Sequence, residues 1–539
     1  MTTPSQDATP ADAGPNGRPN FLLILADDMG FSDLGCYGST VRTPNLDDLA
    51  GRGVRFTQMY NCARCCPTRA SLMTGLYPHQ AGIGDMVSDK GIGPAYQGYL
   101  RQDTATIAEV LADAGYRTLH TGKWHAGGFW SRVDTETWRI GQPTHPLPVD
   151  RGFDEFYGLP GGGSYFYPNP LMRGHDIIDV PEGFYTTDNY TDEMVKMIRR
   201  SVAEGEPFFA HVCYNAPHWP LHAWEEDIER YRGQFRNGWD AHRTARHEEL
   251  KGMGILSDKW DISPRDEHAP LWEDAPHHDW EDARMATYAA MVDRLDQGVG
   301  RLLATLDELG VADNTVVMFL SDNGGSAEFL KENGRAEAEL KTTRDGRSVK
   351  VGNVPGLEPG GPQTFMSYDV QWSNVSNSPF RLHKHWVHEG GISTPFILHW
   401  PAGLQGQGRI EHTPAHIIDI VATCLDLAGA EYPDEHHGRP VQPLEGESFA
   451  PLLRGQPWQR QQPICWEHEG NRAVRMGEWK LVSQWEKGGW ELYDMNEDRT
   501  ELHDLATVNA AKAADLEKVY EDWAHRVGVI PWRQVIARR

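Results

Sequence analysis

Short, continuous apolar runs alternate with helical patterns along most of this chain. A run of this kind is typical of a strand that is buried on both faces of a parallel sheet, and the helices between the runs would cover those faces. Four runs stand out, at residues 21–26, 207–214, 316–320 and 394–400. The pattern predicts an α/β fold in which helices flank a large, mostly parallel central sheet.

Three helical patterns, two between these runs and one after the last run, end at a glycine, the residue that most often follows the last turn of a helix. They are 104–114 before Gly115, 285–309 before Gly310, and 414–428 before Gly429. This order of elements fits the βα rhythm of an open sheet with helices on both faces.

Two polar segments interrupt the rhythm, at about 224–282 and 326–377. Long insertions without strong periodicity are typical of functional lids or mobile loops. We therefore expect both to shape a substrate pocket, and aromatic residues in the second one, such as Tyr368 and Trp372, would suit a phenyl or sugar ring.

The pattern changes again after about residue 457. Short strand-like pieces at 464–467, 479–483 and 491–493 precede a polar helix at 510–527. This predicts a small α+β subdomain with an antiparallel sheet.

The sequence thus predicts three parts. Residues 1–18 are rich in Pro, Asp and Ala and should form a disordered tail. Residues 19–456 should form the main α/β domain, which contains both polar insertions. Residues 457–539 should form the C-terminal α+β subdomain.

Charge and cysteine content narrow the partners and the compartment. The 51 basic and 77 acidic residues give a net charge of −26, which argues against a nucleic acid partner. No apolar stretch is long enough for a membrane span or a secretory signal. An odd number of cysteines, seven, suggests a reducing compartment. We therefore expect a cytoplasmic protein, and a periplasmic or secreted one only if a leader has been removed.

Acidic and amide side chains follow two of the predicted strands. Asp27 and Asp28 come directly after the first apolar run, and Asp322 and Asn323 follow the third. Ligands gather beyond the carboxyl ends of parallel strands, and all-oxygen ligation favours Ca²⁺ or Mg²⁺ over Zn²⁺. A single Asp after a strand is more often a helix cap or a turn residue, so both interpretations stay open at this point.

Cys65 begins the most informative segment, Cys-Cys-Pro-Thr-Arg, which ends at Arg69. A thiol near a cation can be a nucleophile with a lowered pKa, but most cysteines are small buried hydrophobic residues. Cys62 and Cys65 could also form half of a zinc or redox motif. Zinc is disfavoured because the other cysteines, apart from Cys66, stand alone in the sequence.

The pattern Cys65-x-Pro67-x-Arg69, followed by Leu-Met-Thr-Gly, resembles the signature of the type I sulfatases, of the bacterial arylsulfatase branch in the alkaline phosphatase superfamily. The resemblance runs from about Arg18 to the end of the chain. It implies an alkaline phosphatase-like fold. It also implies that a formylglycine-generating enzyme oxidises Cys65 to formylglycine, whose hydrate is the nucleophile, and that Arg69 contacts this hydrate and the metal-bound carboxylates.

The resemblance also assigns the metal site. Asp27, Asp28, Asp322 and Asn323 match the family's ligand motifs, and an oxygen of the modified Cys65 completes the set. The implied ion is one Ca²⁺ per chain, with Mg²⁺ or Mn²⁺ less favoured.

Two motifs that contain a lysine imply contacts with sulfate. Lys123 and His125 lie in a Gly-Lys-x-His pattern, in which the lysine would neutralise sulfate oxygens and the histidine would accept a proton. Lys384 precedes Glu389-Gly-Gly at the family's spacing and would bind the sulfate from the opposite side.

His218 lies in Ala-Pro-His-Trp-Pro, which resembles a third family motif. The resemblance implies that His218 contacts the ester oxygen and assists departure of the alcohol or phenol. The neighbouring Trp219 and His222 receive no role from the sequence.

Together these residues predict an enzyme that hydrolyses small sulfate esters, with aryl sulfates as the expected assay substrates. The main alternative is a phosphonate monoester or phosphodiester hydrolase of the same superfamily, whose members typically carry Asp-His in place of Asp322-Asn323. An inactive binding relative should lack at least one of the motif residues, and none is missing. An unmodified Cys65 thiolate is a further alternative. The sequence predicts neither the physiological substrate nor the oligomeric state.

Overall fold

The apolar run at 21–26 forms a central strand in the computed structural model, which describes residues 17–128, 139–334 and 341–538. Except for Gly17 and Arg18, the predicted tail lies outside the described residues, as does 335–340 of the second polar insertion.

The strands are β1 (Asn20–Asp27), β2 (Val54–Tyr60), β3 (Arg117–Lys123), β4 (Glu155–Leu159), β5 (Leu171–Arg173), β6 (Asp176–Ile178), β7 (Phe208–Pro217), β8 (Thr315–Ser321), β9 (Lys350–Val351), β10 (Thr364–Phe365), β11 (Ser393–His399), β12 (Arg409–Glu411), β13 (Ala415–His416), β14 (Glu435–His436), β15 (Arg439–Pro440), β16 (Ile464–His468), β17 (Asn471–Met476), β18 (Trp479–Ser483) and β19 (Glu491–Asp494).

The α-helices are α1 (Pro44–Arg52), α2 (Cys65–Thr74), α3 (Pro78–Ala81), α4 (Ile107–Asp113), α5 (Thr186–Glu204), α6 (Glu225–Ile228), α7 (Gly238–Gly252), α8 (His278–Glu308), α9 (Asp369–Ser376), α10 (Glu389–Ile392), α11 (Ile417–Ala428), α12 (Ala450–Leu453), α13 (Ala510–Val527) and α14 (Trp532–Ile536).

One large mixed sheet forms the centre of the molecule. Its strand order is β12-β2-β11-β8-β1-β7-β3-β4-β5-β6, and β13 pairs with β2 beside this path. Strands β8, β1, β7, β3 and β4 run parallel to one another, whereas β11 is antiparallel to both β8 and β2. The fold class predicted from the sequence, a large, mostly parallel sheet with flanking helices, is confirmed.

Strand β1 shows why the runs are continuously apolar. Leu22 and Ile24 point into the hydrophobic core that α5 and α8 cover, and Leu23 and Leu25 point into the core on the opposite face, which α2, α4 and α11 cover. Successive side chains of a strand face opposite sides of the sheet, so burial of both sides requires an unbroken apolar run.

The predicted helices are present with shifted starts. Thr106 caps α4, because its hydroxyl accepts a hydrogen bond from the backbone N–H of Glu109 at 3.1 Å. Helix α8 begins at His278, seven residues before the predicted start at 285. The earlier turns escaped the prediction because they belong to the polar segment.

The expectation that 224–282 is a lid or mobile loop is only partly met. Helices α6 and α7 lie in it, and Trp239 is buried in the core. The suggestion that Trp372 and Tyr368 line a pocket is wrong. Trp372 packs edge-on against Trp239 with ring centroids 5.6 Å apart, and Tyr368 stacks on Tyr288 at 4.4 Å.

The C-terminal sheet has four antiparallel strands, β16 to β19, in sequential order, and α13 packs against it. The sequence predicted three of them and missed β17, whose two arginines break the apolar pattern. Buried ion pairs join this C-terminal part of the chain to α10, as Glu389 contacts Lys480 of β18 at 2.9 Å and Arg499 at 3.0 Å. The boundary at 456/457 stays a prediction.

Among the described residues, we find no helix that combines the length and the apolar character needed to cross a membrane.

Candidate active site

The topology of the main sheet gathers the predicted site residues at one edge. Asp28, His125, His218 and Asp322 each lie at or just beyond the carboxyl end of a strand, β1, β3, β7 and β8 respectively, and these four strands are parallel. In such sheets the carboxyl edge is where ligands bind.

Lys384 reaches the same edge by a different route. Because β11 is antiparallel to its neighbours, its amino end points to the carboxyl ends of the others. Lys384 lies in the loop that enters this end, and its backbone N–H donates to the carbonyl of Gly325 beyond β8.

Cys65 is the first residue of α2, which directly follows β2. The free N–H groups and the dipole of a helix start favour negative charge at this position. All ten residues of α2 are buried, including Arg69 one turn later. The cysteine is therefore held rigidly, with its side chain at the positive end of the helix.

Arg69 links the helix to the acidic residues of the sheet. Its guanidinium donates through Nε and Nη2 to Asp322 Oδ2 at 3.0 and 2.8 Å, and through Nη1 to the carbonyl of Lys123 at 2.7 Å. Nη2 also lies 3.9 Å from Asp27 Oδ2. Arg69 thus fixes the spacing of two predicted metal ligands.

Two lysines donate hydrogen bonds to the aspartates at the carboxyl end of β1. Lys123 Nζ donates to Asp27 Oδ2 at 2.6 Å, and Lys384 Nζ donates to Asp28 Oδ2 at 2.8 Å. His218 Nε2 lies 3.5 Å from the same Asp28 oxygen. The predicted cationic residues therefore surround the predicted anionic ones.

The predicted metal ligands lie together. Asn323 Nδ2 donates to Asp28 Oδ1 at 2.7 Å, and the backbone N–H of Asp28 donates to Asp322 Oδ1 at 3.2 Å. Within the described part of the chain, Asp27 Oδ1 and Asn323 Oδ1 are buried without a hydrogen-bond partner. Buried acceptors of this kind are costly unless something satisfies them. A hard cation with oxygen ligands fits this set of donors.

The electrostatics point in the same direction. Burial raises the pKa of Asp27, but the charges of Lys123, His218 and Arg69 outweigh burial and bring the pKa down to about 2. Burial and the neighbouring Asp27 charge hold the pKa of Asp322 well above its usual range. A bound cation would relieve this repulsion between the carboxylates.

His125 faces the cysteine. A hydrogen bond with Cys66 is the main cause that holds the pKa of the Cys65 thiol well below its ordinary value, and Lys123 and His125 add to it against burial. Burial, reinforced by the charge of Lys123, lowers the pKa of His125 to about 4. His125 is therefore a neutral imidazole at pH 7, able to accept a proton.

Sequence reasoning missed one acidic residue of the site. Glu328 lies 3.3 Å from Lys384 Nζ and 3.1 Å from Arg64 Nη2, and it accepts a hydrogen bond from Trp219 Nε1 at 2.7 Å. These cations hold the pKa of Glu328 well below its usual range, although burial opposes them. Glu328 lies in the second polar insertion, and no motif marks it.

A mostly parallel α/β sheet that presents a cysteine at a helix start to aspartates, lysines and histidines fits a hydrolase, and comparison with known proteins places the chain in the alkaline phosphatase superfamily. The family model named Sulfatase matches residues 19–430. The model for the C-terminal region of N-sulphoglucosamine sulphohydrolase matches residues 380–523. The chain belongs to the sulfatase family, of type I.

Individual relatives agree with this assignment. An uncharacterized sulfatase of Schizosaccharomyces pombe is 31% identical over 546 residues, covering 95% of this chain and 94% of the relative. The arylsulfatase of Klebsiella aerogenes is 32% identical over 461 residues, covering 82% and 93%. The solved structure of Ps i-CgsB in complex with k-i-k-neocarrahexaose has a TM-score of 0.65 and 27% identity, covering 94% of this chain and 93% of that one. The protein is therefore a sulfuric ester hydrolase.

Proposed function

We propose that this enzyme hydrolyses aryl sulfate esters, with a formylglycine at position 65 as nucleophile and Ca²⁺ as the metal. The observation that carries the proposal is the placement of Cys65 at the start of α2, beside a buried group of oxygen ligands and two lysines. Similarity to the Klebsiella aerogenes arylsulfatase supports the aryl substrate.

Asp27, Asp28, Asp322 and Asn323 would hold the metal, together with residue 65. When both groups are present, the metal would neutralise charge on the sulfate, and the hydrated aldehyde would supply the attacking oxygen. Asp27 Oδ1 and Asn323 Oδ1, which have no hydrogen-bond partner in the described chain, support this assignment most directly.

The lysines would bind the sulfate from two sides. Lys123 and Lys384 are both buried and both paired with aspartates that would also face the metal. Charges fixed in this way stabilise a transition state without reorganisation, which is the largest single contribution in many enzymes. Arg69 would hold the acidic residues at a fixed distance from the nucleophile.

The two histidines differ in their hydrogen-bond partners. His218 Nδ1 lies beside the carbonyl of Trp219, so Nδ1 carries a proton and Nε2 points to Asp28. A protonated Nε2 would donate to the leaving oxygen of the ester. His125, neutral because of burial, would take a proton from residue 65.

We also propose that a formylglycine-generating enzyme matures Cys65 and that the protein is cytoplasmic. The seven cysteines, all within the described residues, are free and buried, which fits a reducing compartment. Fractionation of the native host, followed by immunoblotting, tests this. Recovery in a periplasmic or secreted fraction would overturn it.

The decisive experiment is mass spectrometry of the peptide that contains Cys65, on protein co-expressed with a formylglycine-generating enzyme, followed by assays with 4-nitrophenyl sulfate. We expect an aldehyde at position 65 and sulfate release that a Ca²⁺ chelator abolishes. Fully active enzyme with an intact Cys65 thiol would contradict the proposal that formylglycine is the nucleophile. Much faster cleavage of phosphonate or phosphodiester analogues contradicts the substrate class.

A further inference from the structure

A second group of potential metal ligands lies where the C-terminal sheet meets the main domain. His385 directly follows Lys384, His468 is the last residue of β16, and Glu469 begins the turn from β16 to β17. The two halves of the group therefore come from parts of the chain that are far apart in sequence.

The three side chains point at one another. One ligand atom from each lies within 4.8 Å of the other two. His385 Nδ1 is 2.7 Å from Glu469 Oε2, and the rings of His385 and His468 are 5.6 Å apart at nearly a right angle. A Zn²⁺ ion with bonds of about 2.0 to 2.1 Å holds tetrahedral ligands about 3.4 Å apart. The group needs to contract by no more than about 1.5 Å to meet this geometry.

His468 is the observation that points to a ligand. Its ring is completely buried, and in the portion of the chain that the structure describes neither ring nitrogen has a hydrogen-bond partner. Buried polar groups are normally paired, and an imidazole without partners in a group of other donors is a common metal ligand. Asn471 contacts two parts of the group through its Nδ2, which lies 3.1 Å from the His468 carbonyl oxygen and 3.4 Å from His385 Nε2.

The backbone gives further support. His385 has φ of 93° and Glu469 has φ of 49°, left-handed conformations that residues other than glycine rarely adopt. The His385 N–H donates to the carbonyl of Ala63 at 2.8 Å, which fixes this conformation close to Cys65. Strain of this kind is concentrated at functional sites.

We propose that His385, His468 and Glu469 form a binding site for Zn²⁺ or a similar first-row transition-metal dication, separate from the oxygen-rich site at Asp27. Two imidazoles and one carboxylate are a ligand set that Zn²⁺ prefers and Ca²⁺ does not. The side chains of His385 and Glu469 are partly exposed, at 27% and 17%, which gives an ion a path from solvent. Arg64, the nearby cation, is offset by Glu328 at 3.1 Å.

A bound ion would tie the turn between β16 and β17 to the loop that carries Lys384. The ion would displace any proton that its ligands carry, and that proton would be released to solvent. Binding should therefore stabilise the fold and weaken as the pH falls.

The test is equilibrium dialysis of the full-length protein with Zn²⁺ in the presence of saturating Ca²⁺, with bound zinc counted by elemental analysis. The variants are His385→Asn, since Asn tolerates a positive φ, and Glu469→Gln. The matched controls are His175→Asn and Asp150→Asn, which alter an exposed histidine–carboxylate pair with a similar contact of 2.8 Å but with no third ligand among the described residues.

We expect one zinc ion per wild-type chain that Ca²⁺ does not displace. Its affinity should fall at least about ten-fold in each site variant and stay unchanged in both controls. Zinc should also raise the melting temperature of the wild type and of the controls, but not of the two site variants. If the wild type binds no zinc, or if the site variants bind it as tightly as the wild type, the proposal is wrong. The second result would place the ion elsewhere, for example at His120, His211 and Cys213.

Discussion

Lys123 donates a 2.6 Å hydrogen bond to Oδ2 of Asp27, while Oδ1 of the same carboxylate is buried and unpartnered within the described residues. One aspartate thus divides its two oxygens between a cation supplied by the chain and a position that suits a metal ion. The lysine and the metal would be coupled through this single carboxylate.

This coupling predicts a large effect of Lys123→Met. The variant removes a positive charge from the proposed sulfate site. It also removes the charge that does most to lower the pKa of Asp27. We expect kcat/KM for 4-nitrophenyl sulfate to fall by about 10² to 10³. Lys196→Met, at an exposed lysine paired with Glu193, is the matched control and should behave like the wild type. A decrease of less than about three-fold would mean that Lys123 does not act on the substrate.

Metal removal should destabilise the protein. Asp27 and Asp322 lie close together in a buried site, and burial together with the charge of Asp27 holds the pKa of Asp322 well above its usual range. We expect Ca²⁺ to raise the melting temperature, and this increase should disappear with a chelator and in Asn323→Ala. Asp313→Asn, at an exposed site, should keep the increase. Equal melting temperatures with and without Ca²⁺ would contradict an ion at this place.

The two adjacent cysteines should differ in importance. Cys65 faces His125, and a hydrogen bond with Cys66, aided by Lys123 and His125, holds its thiol pKa low against burial, whereas burial holds the pKa of Cys66 high. Cys65→Ala should abolish sulfate release, because the proposed nucleophile is gone. Cys66→Ala should keep at least about a tenth of the activity, because Cys66 is assigned no contact with substrate. The comparison requires mass spectrometry of both variants, and loss of activity in Cys66→Ala with an intact aldehyde would show a catalytic part for Cys66.

The buried His222 should cause part of the loss of folding stability at acid pH. Its ring is buried, its Nε2 donates to the carbonyl of Thr364 at 2.7 Å, and burial lowers its pKa to about 4. In the unfolded chain a histidine binds its proton near pH 6.5, so between about 6.5 and 4 the unfolded state binds more protons. The contribution of neutral His222 to the free energy of unfolding is therefore fully present above about pH 6.5. About 3 kcal/mol of it is lost as the pH approaches 4.

His222→Gln should flatten this part of the curve, since glutamine keeps a donor for Thr364 and does not titrate. The measurement is urea unfolding at a series of pH values from 7.5 to 4. His175→Gln, at an exposed histidine, serves as control and should leave the curve unchanged. A wild-type slope in His222→Gln would show that other groups dominate.

Much of the fold could be predicted from the sequence because burial on both faces leaves an unambiguous apolar run, as in β1 and β8. The missed β17 and the early turns of α8 lie in polar stretches, where tertiary packing rather than local pattern decides the structure. The same holds for Trp372, whose polar sequence neighbours suggested a loop although its ring lies in the core.

The site could be predicted only where a motif marks it. The structure brings the predicted site residues to one edge of the sheet, while their individual roles stay predictions. Glu328 carries no motif, and only its contacts with Lys384 and Arg64 reveal it. The group of His385, His468 and Glu469 was equally hidden, because its members are brought together by the packing of the C-terminal sheet.

The position of β11 in the sheet has a consequence for biosynthesis. Strand β2 has β11, β12 and β13 as its neighbours, all of which come much later in the chain, and β11 separates it from β8. During synthesis from the amino end, β2 and the Cys65 segment behind it have no place in the sheet until the ribosome has passed His399. If Cys65 is modified as we propose, the modifying enzyme would find it outside the sheet until β11 has been made, and insertion of this one late strand would both complete the sheet and end that period.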